Sequence, residues 1–180
     1  MPHKTQTLSA ECSRVEHVKV PVTSDADILL ARQRARELAS EAEFTAVEST
    51  FIATAISELG RNILQHAGGG EISIKINRQQ DGTVLIVAAR DNGPGISDLE
   101  RALKDGFSTS GGLGLGLPGV KRLMDEFQIV SHQDQGTTVI VKKWARGCTS
   151  GRPARTASTL FKRRDGAAAG KLAAVGAATR

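Results

Sequence analysis

Three polar side chains at four-residue spacing are the first feature of the sequence that could support chemistry. Glu58, Asn62 and His66 lie in the segment ELGRNILQH, and in a helix this spacing places them on one face. A carboxylate and an amide oxygen one turn apart suit a hard cation such as Mg²⁺, which prefers oxygen ligands and keeps several waters. The spacing alone is equally compatible with an ordinary solvated helix face.

A second chemical feature is the segment DNGPGI, which follows an apolar run ending at Arg90. A carboxylate at the end of a buried strand is well placed to accept a hydrogen bond from the exocyclic amine of adenine, so Asp91 is a candidate for base recognition. Gly93 and Gly95 would let the backbone turn tightly and let a flat base approach. The alternative is a plain Asp-Asn-Gly turn.

A third feature is a run of alternating glycines, GGLGLGLP, directly before a predicted helix. Such glycines direct free backbone N–H groups toward one point, which suits phosphate. The run is not a Walker A loop, because no Gly-Lys-Ser/Thr follows, and it is not a dinucleotide fingerprint, because residues 106–110 do not read as a strand. Residues 105–113 are predicted to form a lid over the phosphates. The candidate phosphate-binding glycines are Gly112, Gly114 and Gly116.

The elements that must position these groups follow from hydrophobic periodicity. Strands are predicted over 17–22, 71–77, 83–90, 129–131 and 137–143, and helices over 27–42, 44–67 and 117–127. The last strand opens at Thr137, whose hydroxyl could reach Asp91 and a base through a water, although an ordinary turn into a strand fits as well. The buried stripe of the long helix is predicted to contain Phe44, Val47, Phe51, Ala55, Leu59 and Ile63.

Helices first and a mixed, mostly antiparallel sheet afterwards predict an α+β fold, a two-layer α/β sandwich with its helices on one face. The chain has 180 residues, 39% of them hydrophobic and 3% aromatic, so we expect one domain with an aliphatic core. The organisation predicted is a leader or edge segment over 1–16, the domain over 17–145, and a basic, disordered tail over 146–180.

Charge and targeting features narrow the function. Residues 1–145 carry 16 Lys+Arg and 18 Asp+Glu, a net −2, and residues 146–180 carry 8 and 1, a net +7. Because the basic excess lies outside the predicted domain, specific nucleic-acid binding is not expected. No apolar stretch is long enough to span a membrane, no secretory signal is visible, and Cys12 and Cys148 have no metal-ligand spacing. These features predict a cytoplasmic protein.

The order ELGRN-x-x-x-H, DNGPGI, GLGLGL and GTT resembles the N, G1, G2 and G3 boxes of the GHKL superfamily, which has the Bergerat fold. This superfamily contains histidine kinases, gyrase-type ATPases, Hsp90 and anti-sigma kinases. The match spans about residues 15–145, and the SELGRN variant with its short lid is similar to the RsbT-type switch serine/threonine kinases of bacterial stress signalling.

The resemblance implies a role for each matched residue. Glu58 would be the general base, Asn62 the Mg²⁺ ligand, and Asp91 the residue that reads adenine. The remaining matched residues would bind ATP: Gly95 would back the base, Gly112, Gly114 and Gly116 would cradle the phosphates, and Thr137 would join the adenine water network.

The resemblance also implies a partner. ATP would donate its γ-phosphoryl group to a Ser or Thr of a STAS-domain antagonist protein, and a phosphatase or sigma-factor regulator would bind in a second role. An ATP-binding anti-sigma factor or pseudokinase that transfers nothing is the first alternative. A detached histidine-kinase domain is the second, although none of the four histidines lies on a predicted dimerising helix. The oligomeric state, including a homodimer, stays open.

Overall fold

The computed structural model describes residues 16–79, 82–103 and 116–146, and the backbone of residues 160–161. Within these ranges no helix is long and apolar enough to cross a bilayer. The elements in chain order are β1 (Glu16–Val22), α1 (Asp25–Glu41), α2 (Ala46–Ala67), β2 (Gly70–Gln79), β3 (Gly82–Asp91), α3 (Leu99–Ala102), α4 (Gly116–Leu123), β4 (Glu126–His132), β5 (Gly136–Trp144) and β6 (Leu160–Phe161).

The strands form one sheet in the order β1-β2-β3-β5-β4-β6, in which the first five strands are antiparallel to their neighbours. Gln79 pairs with Gly82, so β2 and β3 form an antiparallel hairpin. β6 pairs in parallel with β4 through two residues. No strand is predicted there from the sequence, because two residues are too short for periodicity; the open edge of β4 offers the backbone groups that they pair with.

Alternation along the strands separates a covered face of the sheet from an open one. On β2, Ile72, Ile74 and Ile76 are fully buried, while the residues between them are only partly buried. α2 packs on this buried face and α1 packs beside it on β1 and α2. The predicted two-layer α/β sandwich with helices on one face is therefore confirmed. Asp91 and Thr137 lie two positions beyond the buried Ala89 and Val139, so both also face the helices.

The start of α1 is fixed by Asp27, although the helix does not begin there. One oxygen of this carboxylate, Oδ2, accepts hydrogen bonds from the amides and hydroxyls of Thr23 and Ser24, each at 2.9 Å. These bonds, the Thr23 amide foremost, hold the pKa of Asp27 below its ordinary value. The helix therefore begins at Asp25, two residues before the predicted start.

The buried stripe of α2 differs from the prediction at its beginning. Thr45 caps the helix by accepting a bond from the Glu48 amide, so Phe44 lies outside it, although its ring is buried. Glu48 folds back onto the Thr45 amide and is 1% exposed, whereas Val47 is 57% exposed. The prediction that Val47 belongs to the core is therefore wrong, because strict four-residue steps drift around a helix that has 3.6 residues per turn. Ala55, Leu59 and Ile63 are buried as predicted.

The helix predicted over 117–127 is too long. α4 ends at Leu123, and Phe127 lies in β4, where it pairs with Val141. Phe127 fits both the helical spacing and the two-residue alternation of β4, and the strand pairing decides between them. The buried Lys143 completes the end of α4 by donating from Nζ to the Leu123 carbonyl at 2.9 Å.

Candidate functional site

A cavity of about 390 Å³ lies between α2, the ends of the central strands and the start of α4. This volume is within the range of small-molecule sites. The cavity brings together six of the residues to which the resemblance assigns a role: Glu58, Asn62, Asp91, Gly95, Gly116 and Thr137. Helix and sheet thus place side chains that are up to 79 positions apart (137 minus 58) around one space.

Glu58 is the buried acid of the cavity, with its side chain only 8% exposed. Its Oε1 accepts a hydrogen bond from Nη1 of Arg61 at 2.9 Å, and its Oε2 accepts one from the Gly116 amide at 3.3 Å. Arg61 is one turn further along α2, and Gly116 is the first residue of α4. A buried carboxylate requires such partners, because burying an unpaired charge is costly.

Asn62 follows Glu58 by one turn of α2 and is partly buried where it lines the cavity. Its amide oxygen, beside a carboxylate, is the donor type that Mg²⁺ accepts. Across the described ranges no three His, Cys, Asp or Glu side chains cluster so as to hold a metal. One amide oxygen beside a carboxylate fits a cation that takes one or two protein oxygens and completes its shell with phosphate oxygens and waters. His66, two turns from Glu58, is exposed at the cavity edge.

Asp91 is oriented by the backbone around it. Its Oδ1 accepts hydrogen bonds from the Gly93 amide at 2.9 Å and from the Thr137 amide at 3.1 Å. Both bonds fall on the same oxygen, so in the described part of the chain Oδ2 takes no protein donor. A fixed carboxylate with one oxygen available in a cavity is suited to accept a bond from an amino group such as that of adenine.

Ser131 supports the wall of the cavity through Ile96 and Thr137, which line it, and nothing in the sequence alone singled this serine out. Its buried Oγ accepts from the Ile96 amide at 2.8 Å and lies 2.9 Å from Oγ1 of Thr137. A longer contact of 3.3 Å joins it to the Gly136 carbonyl. The signal available in the sequence is the hairpin around Gly136, because its register places Ser131 directly opposite Thr137.

The two glycines of DNGPGI are required by the chain itself. A Cβ on Gly93 would lie 2.7 Å from Cβ of Ala67 at the end of α2. A Cβ on Gly95, whose φ is +74°, would collide with the His132 carbonyl. The close approach predicted for a flat base is thus made in the structure by α2 and β4. Gly95 also lines the cavity, whereas Gly93 is not among its lining residues.

The predicted phosphate loop is described only at its end. Gly112, Gly114 and the whole of the predicted lid lie outside the described residues. Gly116 is described, with φ at +47°, and its amide donates to Glu58. The start of α4 therefore faces the cavity, as expected for a helix whose first amides bind an anion.

The sequence of the chain matches the family model described as histidine kinase-, DNA gyrase B- and HSP90-like ATPase over residues 47–146. The matched range includes the three parts of the structure that surround the cavity: α2, the ends of the central strands and the start of α4. The chain therefore belongs to this family of ATPases.

Two curated relatives narrow the position of the chain within the family. It is 49% identical to the serine/threonine-protein kinase RsbT of Bacillus subtilis over 127 residues, which cover 71% of this chain and 96% of RsbT. It is 31% identical to the anti-sigma F factor of Clostridium kluyveri over 117 residues, which cover 63% of this chain and 82% of that protein.

A solved structure supports the fold alone. The RsbU and RsbW domains of a Mycobacterium tuberculosis protein superimpose on this chain with a TM-score of 0.52 at 20% sequence identity. The superposition covers 79% of this chain and 35% of that one. At this identity the comparison supports the shared α/β sandwich fold and gives no information about the chemistry of the site.

Proposed function

We propose that the chain is an ATP-dependent serine/threonine protein kinase of the anti-sigma, stress-switch type. It phosphorylates a STAS-domain partner and acts as a regulator by exchanging one binding partner for another. The observation that carries this proposal is the buried carboxylate of Glu58 in the cavity, one turn before Asn62 and against the first residue of α4. A site that only held a nucleotide would have no need of an acid there. The 49% identity to a protein named serine/threonine kinase supports the same activity.

The proposed reaction needs few covalent steps from the protein. A Ser or Thr hydroxyl oxygen of the partner forms a bond to the γ-phosphorus of ATP, and the bond from that phosphorus to the bridging β,γ-oxygen breaks. ADP leaves with the electron pair of the broken bond. Glu58 accepts the hydroxyl proton, which is the task of a general base.

Each end of ATP has a matching part of the cavity in this proposal. Asp91 accepts a bond from the adenine amine through Oδ2, and Thr137 and Ser131 hold the wall of the base pocket. Gly116 begins the phosphate end, with Gly112 and Gly114 as further predicted phosphate contacts. Asn62 would hold Mg²⁺, which neutralises phosphate charge when it is bound.

Phosphate transfer to purified STAS-domain candidates from γ-labelled ATP tests the proposal. Label that appears on a Ser or Thr of the candidate, is stable to acid and depends on magnesium is the expected result. Binding of ATP without any transfer to a set of candidates would contradict the kinase assignment. Acid-labile label would instead indicate phosphohistidine chemistry.

The second candidate function is an anti-sigma factor that binds ATP and a regulator. The similarity to an anti-sigma F factor favours it. The two functions are separated by the same transfer assay combined with a pull-down, because a pure binder would retain its regulator in the presence of ATP without labelling it.

Because ATP is the proposed phosphoryl donor, we also propose that the protein is located in the cytoplasm. The second binding partner that we propose is a sigma-factor regulator or a phosphatase.

A further inference from the structure

The carboxylate of Glu58 is held by two groups of the kind that bind phosphate. Arg61 contributes a guanidinium N–H at 2.9 Å, and Gly116 contributes the first amide of α4 at 3.3 Å. A guanidinium and a helix N-terminus are both favourable partners for an anion with several oxygens. In this structure the anion that they share is a side chain of the protein itself.

The surroundings of Arg61 allow it to serve another anion. Its side chain is 46% exposed and lines the cavity, whereas that of Glu58 is 8% exposed. Arg61 precedes Asn62, which faces the same cavity. A flexible, half-exposed cation can therefore move from Glu58 toward a ligand at little cost, while the buried carboxylate stays near its position on α2.

We propose that Arg61 binds the terminal phosphate of ATP and that Glu58 occupies this anion position until the phosphate replaces it. This inference rests on the proposed use of ATP. The phosphate takes Arg61 and the start of α4 as partners, and Glu58 is released from both. The released carboxylate then faces the hydroxyl that attacks. Binding of the complete triphosphate would thus prepare the base, which ADP, lacking the terminal phosphate, would not do.

An ion pair on α1 provides a matched comparison. Arg34 donates from Nη1 to Oε2 of Glu37 at 2.9 Å, with the same three-residue spacing and length as the Arg61–Glu58 pair. The Arg34–Glu37 pair is exposed on both sides and lies outside the cavity. If Arg61 only stabilised α2, its removal would leave the ratio of ATP affinity to ADP affinity unchanged, as removal of Arg34 should.

The test measures ATP and ADP affinities by calorimetry at one magnesium concentration for the full chain and its variants. In Arg61→Ala we expect ATP affinity to fall about tenfold to a hundredfold, the worth of a charge-assisted hydrogen bond, with ADP affinity within about twofold of the unmodified chain. Arg61→Lys should recover part of the loss. Arg34→Ala should leave both affinities and transfer unchanged.

A second variant tests whether the terminal phosphate of ATP displaces the Glu58 carboxylate or whether Arg61 only supports the structure of the site. Glu58→Gln removes the competing negative charge, so ATP affinity should rise severalfold while ADP affinity stays constant. Equal losses of ATP and ADP affinity in Arg61→Ala, or no rise in Glu58→Gln, would overturn the inference. Failure of the unmodified chain to bind any adenine nucleotide would overturn the proposed function as well, whereas an unchanged ATP-to-ADP ratio in Arg61→Ala with intact transfer would overturn only the role of Arg61.

Discussion

The two ends of the cavity are built by different physical means. At the base end, Asp91, Ser131 and Thr137 lie on strands of the sheet and are bonded to one another and to backbone amides. At the phosphate end, Glu58 and Arg61 lie on a helix, and their charges are satisfied by each other and by the start of α4. The base end is thus fixed by the fold, whereas the phosphate end is an arrangement of charges that a ligand can exchange.

Because of this difference, we expect the base end to determine affinity for adenine and the phosphate end to determine phosphoryl transfer. Hydrogen bonds that exist before binding require no reorganisation, so the base end should contribute equally to every adenine nucleotide. The charged end should distinguish nucleotides by their number of phosphates and should govern transfer. Substitutions at the two ends are therefore expected to have different patterns as well as different sizes.

The largest effect is expected for phosphotransfer in Glu58→Gln. Loss of a general base typically lowers the rate by about 10²–10⁴-fold, and the isosteric amide keeps the packing of α2. Initial rates with γ-labelled ATP and a partner provide the measurement. The matched control is Glu37→Gln, which changes the exposed acid of the α1 pair. A Glu58→Gln variant with an undiminished rate would remove Glu58 from the reaction.

A smaller effect, of a different pattern, is expected for Asp91→Asn. The amide would keep its oxygen on the Gly93 and Thr137 amides and turn an NH₂ group toward the adenine amine, replacing an acceptor with a donor. We expect the binding free energies of ATP and ADP to weaken alike, by about 1.5–3 kcal/mol. Calorimetry measures both affinities.

The control for Asp91→Asn is Asp134→Asn. Asp134 is exposed in the turn between β4 and β5, and its φ of +59° is one that Asn also tolerates. Its substitution should leave both affinities unchanged. If Asp91→Asn lowered ATP affinity and spared ADP, the base end could not be regarded as independent of the phosphates.

Most of this fold is predictable from the sequence, because its elements have clear periods. The alternation of EISIKIN over residues 71–77 is a purely local signal, and the structure confirms a strand there. Errors occur where spacing alone does not decide the structure. Phe127 fits both a helix and a strand. Val47 fits a four-residue repeat that drifts off the buried face of α2.

The candidate site is predictable to a lesser degree. Glu58, Asn62 and Asp91 stand out by residue type and position, but Ser131 enters only through its register opposite Thr137. The contact of Glu58 with Gly116 joins residues 58 positions apart, and no local pattern contains it. Sequence spacing identifies the side chains that could take part in the reaction. Tertiary packing determines which of them are hydrogen-bonded to one another.

Gly60→Ala tests the packing of α2, which carries Glu58 and Arg61, against α1. A Cβ on Gly60 would lie 2.8 Å from Cγ1 of Ile28, so the Ile28 side chain or the two helices would have to shift. Overpacking costs about 1–3 kcal/mol, and the better helix propensity of Ala returns about 1 kcal/mol. We expect a net loss of up to about 2 kcal/mol in the free energy of unfolding, measured by urea denaturation, with ADP affinity retained.

A double-mutant cycle identifies the cause of that loss. Ile28→Ala removes the side-chain atoms that the added Cβ at position 60 would meet, so the double variant should be less destabilised than the sum of the two single variants. Additive effects would contradict the proposed collision and would place the cost of Gly60→Ala elsewhere.

The smallest effect is expected for Ser131→Ala at the base end. The substitution leaves the Ile96 amide without its acceptor and Oγ1 of Thr137 without its neighbour. Because a typical hydrogen bond contributes about 0.5–1.5 kcal/mol, ATP and ADP affinities should each fall by about threefold to tenfold and their ratio should not change. Ser73→Ala is the control, since this serine lies between buried residues of β2 on the open face of the sheet. A change in the ratio would mean that Ser131 reaches the phosphate end, and the two ends would then act as one network.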